Sequence, residues 1–251
     1  TLISEYLAMG KEIEIQVLEV DQVAMEGRLK ALGAKLVMPM TRMVRAVYHT
    51  CNGQNRKVES FARVRDEGAG TTTITVKVYN DPKYPDEFEI ATLKSFDEAR
   101  ALMLALNIQE KSYQETYRKK WGGAKLAKLG IHEVTFDMIP GLPMYMEVEA
   151  ESETKLHAFL ARLEANPDKY RTGAFGGKYL EYYGIPEAKM NNGTPVIDFA
   201  STEEYIVPTK NQALFKATLA EQRRLIKKIG SSDTGSSRGV SSQRRTKKAA
   251  K

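Results

Sequence analysis

Charged or polar residues stand at every second position in six short stretches of this chain, and the charges complement one another in sign. Glu12 and Glu14 lie in KEIEIQ, Arg63 and Arg65 in FARVRDE, Thr75 and Lys77 in TITVKVY. Arg118 and Lys120 lie in TYRKKW, Asp137 in EVTFDM, Glu147 and Glu149 in MYMEVEAE. Side chains two apart on a strand point the same way, so each stretch presents its charges on one face. The residues between them are mostly apolar, among them Ile13, Ile15, Val64, Val76, Phe136 and Val148. One such stretch alone is what any antiparallel strand with a wet face looks like. Repetition constrains the fold further. If about eight such strands close into a barrel with their apolar faces outward under helices, all the charges share one interior. Like charges on one wall are tolerable there only when an opposite wall or a ligand compensates them. Carboxylates attract a divalent metal and cations attract phosphate, so the pattern points to a metal–polyphosphate complex.

The order of elements fits a mainly antiparallel sheet with helices. Strands are expected near 11–18, 36–49, 59–66, 71–79, 86–93, 112–121, 132–139 and 144–151. Helices are expected at 21–32 (Asp21 as N-cap, Gly33 as stop), from Ser95 or Asp97 through FDEARALMLAL, and in ESETKLHAFLARLEAN. The segment at 50–55, TCNGQN, is turn chemistry. Strand and helix do not alternate regularly, which excludes a doubly wound fold. After Tyr183 come Pro186, Pro195 and Pro208 among polar residues, then helical spacing from Gln212 to Ile229. The expected division is a tunnel-like domain over 1–184, a loop-rich extension with a C-terminal helix over 185–230, and a disordered basic tail over 231–251.

At 251 residues and 42% hydrophobic, the chain can bury one substantial core. Of the net charge of +6, most belongs to the tail: residues 231–251 hold six cations and one anion, leaving the rest near neutral. Such a tail suits non-specific nucleic-acid binding through phosphate contacts. Cys51 is alone, which excludes an internal disulfide and a cysteine-rich metal site, and His49, His132 and His157 lack metal-ligand spacing. No apolar run approaches the roughly 18 residues that span a bilayer, and no signal-peptide pattern opens the chain. A soluble, cytoplasmic protein with no membrane partner is expected.

The segments EIEIQVLEVD, RVR, ITVK and SYQETYRKKW, followed by VTFDMIPGLPMYMEVEAESE, resemble the CYTH domain, also called the triphosphate tunnel metalloenzymes. That superfamily includes class IV adenylyl cyclases, thiamine triphosphatases, and inorganic and fungal-type RNA triphosphatases. The likeness covers roughly residues 10–184, and its most specific part is D-x-x-PGLP-x-Y-x-E-x-E, Asp137 to Glu149. It implies an α+β fold with a closed or nearly closed eight-stranded antiparallel β-barrel and flanking helices. It further implies that Glu12, Glu14, Asp137, Glu147 and Glu149 hold Mg²⁺ or Mn²⁺, and that Arg63, Arg65, Lys77, Arg118 and Lys120 grip the triphosphate. Glu12, Glu14, Lys77 and Arg118 would carry the chemistry, hydrolysis or cyclisation of a nucleotide or other triphosphate. Glu87 and Glu89 lie on a strand that is acidic in many members. Two positions depart from the pattern. Gln16 stands where E-x-E-x-K expects lysine, and Thr116 where K-x-R expects lysine, and neither can stabilise a developing oxyanion with charge. An enzyme and a catalytically impaired binding or assembly protein therefore both remain open.

Overall fold

The computed structural model describes residues 11–50, 60–68, 70–81 and 83–236, the last six as backbone only. The turn at 50–55 falls mostly outside these residues. Eight strands carry the architecture: β1 (Ile13–Val17), β2 (Lys35–His49), β3 (Ser60–Asp66), β4 (Thr72–Val78), β5 (Asp86–Thr92), β6 (Glu110–Gly122), β7 (Ile131–Met138) and β8 (Tyr145–Ala150). Two-residue strands, β9 (Tyr170–Arg171) and β10 (Val196–Ile197), add to β1 and β6. The helices are α1 (Gln22–Ala31), α2 (Phe96–Ala105), α3 (Ala124–Lys128), α4 (Glu153–Arg162), α5 (Gly176–Tyr183), α6 (Glu187–Asn192), α7 (Thr202–Tyr205) and α8 (Gln212–Ser236). Asp21 and Ser152 cap α1 and α4, and Ser95 with Glu98 forms a reciprocal capping box on α2.

The sheet runs β5-β4-β3-β2-β6-β7-β8-β1-β9, antiparallel throughout this path. Lys77 of β4 pairs with Glu12 at the start of β1, six strand steps away along the path. Side chains so far apart meet only if the sheet curls toward the face that bears them, so the charged face is concave. Of the expected closed or nearly closed barrel, the structure shows the curled antiparallel sheet with flanking helices. Among the described residues the backbones of its two sides meet through one bridge, Lys11 with Asp86, and a hydrogen bond from Glu12 N to the Pro85 carbonyl (3.3 Å), with the Lys77–Glu12 and Lys11–Asp81 side-chain pairs beside them. The reason lies in β1, whose Gln16 and Val17 already pair with Arg171 and Tyr170 of β9. Only its first residues are left to face β5, and the result is a curled half-barrel with flanking helices.

The convex face is apolar, as strand alternation requires. Ile15, Val17, Val134, Phe136, Met146 and Val148 pack there against Met25 and Leu29 of α1 and Leu156, Phe159 and Leu160 of α4. Each fully buried side chain of this size contributes roughly 1.5–3 kcal/mol. Ala99 and Met103 of α2 cover Ala46, Tyr48, Ala62 and Val64 on the other half. The residues after 184 share a core with the sheet: Ile185, Met190, Ile197, Phe199, Phe215 and Leu219 pack with Tyr117, Met138 and Leu142. The helix expected to end near 229 continues to Ser236, past the boundary where the tail was expected to start. Residues 237–251, with all six basic residues of that tail, lie outside the described residues.

Candidate functional site

Register brings the alternating charges together. Across β1 and β8, Glu14 faces Glu149 and Gln16 faces Glu147. Across β7 and β8, Glu133 faces Glu149 and Thr135 faces Glu147, and Asp137 faces Arg118 on β6. Across β3, β4 and β5, Arg63 faces Thr75, which faces Glu89, while Lys77 faces Glu87. Their strand neighbours occupy the apolar convex face. Glu12, Glu14, Arg63, Arg65, Lys77, Arg118, Lys120, Asp137, Glu147 and Glu149 thus share the concave side.

Most of these groups are paired. Arg118 holds Asp137 in a fork, Nε to Oδ1 at 2.6 Å and Nη2 to Oδ2 at 2.8 Å, and Nη2 also donates to Glu147 Oε2 at 2.6 Å. Charge-assisted, two-pronged contacts of this kind are among the strongest in proteins. Burial alone would push the Glu147 carboxyl up, but Arg118 and then Lys178 outweigh it and hold the group at about 2. Lys77 bonds Glu12 and lies 3.7 Å from Glu87, and Lys120 pairs with Glu133 at 2.6 Å. Arg65 is held by Glu67, which also accepts from Thr73 Oγ1 at 2.9 Å. Arg63 is less satisfied. It reaches Glu89 and Glu87 only at 3.4 and 3.6 Å and donates to Thr75 Oγ1 at 3.1 Å, while its buried Nε has no partner among the described residues.

Two carboxylates lack a counter-charge. Among the described residues neither Glu14 nor Glu149 has an ion-pair or hydrogen-bond partner. Burial, then Glu147 and Glu12, pushes the Glu14 carboxyl well above the ordinary range. Burial, then Glu133, Glu12 and Glu87, raises Glu149 to about 7. A bound cation would relieve both, and carboxylate oxygens are the donors that hard divalent ions take. The donor chemistry therefore fits a divalent metal at Glu14 and Glu149, with Glu12 beside them. Asp137 and Glu147 fit less well, because Arg118 already occupies their oxygens. No three acidic or histidine side chains among the described residues converge as a preformed ligand set.

Sequence reasoning missed three residues here. Glu133 has uncharged Ile131 and Thr135 two positions away on either side, so no alternation of charge marks it. Arg45 stands on the concave side of β2, facing Arg65 of β3 and Gln114 of β6. The alternation in RMVRAVY would have shown it, but apolar residues on both faces hid the period. Lys178 comes from α5, where no strand period applies. It is 3% exposed, bonds the Gln16 side-chain oxygen and lies 4.3 Å from the centre of the Tyr145 ring. A cation thus stands next to Gln16, one of the two positions where lysine was expected.

No family model matches the chain, and no curated protein sequence does. Solved structures do. A candidate adenylate cyclase from Vibrio parahaemolyticus aligns over 68% of this chain and 98% of its own, at 14% identity and TM-score 0.55. The PH1012 protein of Pyrococcus horikoshii OT3 aligns over 65% and 96%, at 14% identity and TM-score 0.52. A conserved protein from Pyrococcus furiosus aligns over 65% and 97%, at 13% identity and TM-score 0.52. At such identities the likeness shows the fold, which is CYTH-like.

Proposed function

We propose that the concave side of this CYTH-like sheet forms a tunnel that binds a triphosphate-bearing small molecule together with Mg²⁺ or Mn²⁺. The observation that carries the reading is the sorting of unsatisfied charge: Glu14 and Glu149 without cations on one side, Arg63 with a bare buried Nε on the other. A ligand with a cationic and an anionic part completes both. Glu14, Glu149 and Glu12 would hold the metal, with Asp137 and Glu147 joining if Arg118 turns to phosphate. When bound, the metal supplies charge neutralisation at the phosphate oxygens. Arg63, Arg65, Lys77 and Arg118 grip the phosphate chain, with Lys120 at the rim and Lys178 standing in for a lysine at Gln16. Guanidinium forks match phosphate oxygens bidentately. Phosphoryl transfer to water, or cyclisation of a nucleotide, needs alignment and charge stabilisation more than a covalent intermediate.

The test is phosphate release and cyclic-nucleotide formation from ATP, thiamine triphosphate and inorganic tripolyphosphate, each with Mg²⁺ and with Mn²⁺. Turnover of at least one is expected. Tight binding without turnover of any would favour the second reading, a catalytically impaired barrel that binds or assembles. Thr116 and the internal pairing of Arg118 with Asp137 and Glu147 are the observations on its side. In that reading the basic residues of 237–251 form a nucleic-acid-binding arm, and deleting them removes nucleic-acid retention at low salt.

A further inference from the structure

We infer that Arg45 is a further anion-binding residue of the tunnel, completing with Arg63 and Arg65 a three-guanidinium subsite for the terminal phosphate of the bound chain. This rests on the tunnel being a polyphosphate site. Arg45 lies directly opposite Arg65 across β2 and β3, and Val47, two residues on, lies opposite Arg63. The three side chains therefore project from adjacent strands into one part of the concave face. Their partners differ. Arg65 is held by Glu67. Arg63, 7% exposed, has only long contacts to Glu87 and Glu89 and leaves Nε without a partner.

Arg45 has no carboxylate partner among the described residues. Its Nε donates to the neutral Gln114 Oε1 at 2.7 Å, and its guanidinium lies 5.1 Å from the centre of the Phe175 ring. Burial, then Arg63 and Arg65, pulls its pKa down to about 9, the mark of a cation set among cations. A charge placed this way is costly unless an anion arrives. Phe175, just before α5, lies against the planar group, and the hydrogen bond to Gln114 engages its Nε alone. A terminal phosphate offers the two negative charges and several oxygens that three forks can share.

The placement also answers for Thr116. Across β2 and β6, Met43 faces Thr116 and Arg45 faces Gln114, so Arg45 is the diagonal neighbour of Thr116 on the same face. The cation that the resemblance places at 116 is supplied from the adjoining strand. The anion chain thus extends away from Glu14 and Glu149 toward β2 and β3, with its metal-bound part near the former and its free end at Arg45.

The experiment is calorimetric titration of the full chain with inorganic tripolyphosphate and with ATP, in Mg²⁺, for wild type, Arg45→Met, Arg45→Lys and Arg63→Met. Arg45→Met is expected to weaken both ligands about ten- to a hundredfold, the loss of charge-assisted hydrogen bonds. Arg45→Lys, which keeps the charge without the fork, is expected to recover part of that, and carries the test if the methionine variant does not fold. Wild-type affinity in both Arg45 variants while Arg63→Met binds weakly would overturn the inference and leave the tunnel reading standing. A loss confined to ATP would also overturn it, placing Arg45 at the organic group. Failure of the wild type to bind tripolyphosphate would overturn the tunnel reading itself.

Discussion

The two sides of the concave face have been left unfinished in opposite ways. Around Glu14 and Glu149, on β1 and β8, half-buried carboxylates repel one another and two of them hold protons more tightly than usual. Around Arg45 and Arg63, on β2 and β3, a half-buried and a buried guanidinium crowd without enough acid, and both are pulled down, to about 9 and about 10. Between them Arg118, Asp137 and Glu147 form a node that is satisfied internally. The difference teaches that the molecule cancels some of these charges, at the Arg118 node and across the gap through Lys77 and Glu12, and leaves Glu14, Glu149 and Arg45 without an ion-pair partner among the described residues. Under the proposed function, a ligand with both signs would stabilise the two flanks together.

The largest effect should come from the centre. Arg118→Met leaves Asp137 and Glu147 buried without their cation and is expected to cost about 3–5 kcal/mol in urea unfolding at pH 7. Arg45→Met, which strips no acid of a partner, should not destabilise the ligand-free protein; equal losses in both variants would erase the distinction between node and flank. Next, saturating Mn²⁺ should stabilise the wild type by about 2.7 kcal/mol at a hundred times its Kd, read as a rise in thermal midpoint. Glu149→Gln should remove more of that rise than Glu147→Gln, because Glu147 is already engaged by Arg118 and Gln16.

The third effect is pH-dependent. The folded protein binds a proton at Glu149 up to about pH 7, whereas the unfolded chain releases it near the ordinary glutamate value. Protons bound in the folded state exceed those in the unfolded state across that window, so stability falls as pH rises through it. In metal-free buffer Glu149→Gln should therefore stabilise the protein at pH 8 by on the order of 2 kcal/mol and make little difference below about pH 4. A variant no more stable than wild type at pH 8 would mean that Glu149 is compensated after all. The smallest effect concerns the missing lysines. Restoring both at once looks beneficial from sequence, but Lys178 already occupies the side of Gln16. Gln16→Lys should change tripolyphosphate affinity by less than about 0.5 kcal/mol, roughly twofold, in calorimetry.

Wherever the chain alternates strictly, the sequence was readable. Period-two runs in β1, β3, β4, β7 and β8 announced both the strands and the face that each charge would occupy, because one wet and one packed face leave no other register. What was not readable came from partners distant in sequence. Lys178 reaches Gln16 across 162 positions, and no local period announces that. The incomplete closure was hidden for the same reason, since it depends on β9 taking the end of β1. Asp137, though placed on the right face, gave no sign that Arg118 would claim both its oxygens.

One consequence concerns the order in which the chain is made. The turn between β7 and β8, which sets Asp137 and Glu147 on neighbouring strands, is held by side chains synthesised long after it. Tyr179 and Tyr183 donate to the Pro140 and Gly141 carbonyls, and Gln222 accepts from Gly141 N while donating to the carbonyls of Ile139 and Leu142. Gly141, at φ 75°, leaves room for the Phe215 ring where any side chain would collide with it. Gln222 leaves the ribosome 81 residues after Gly141. At ordinary elongation speeds the hairpin waits about 4–16 s for the groups that lock it. The strands on either side of the hairpin, β6 and β1, are made before it, so both of its edges have their partners at hand while the turn still awaits its lock.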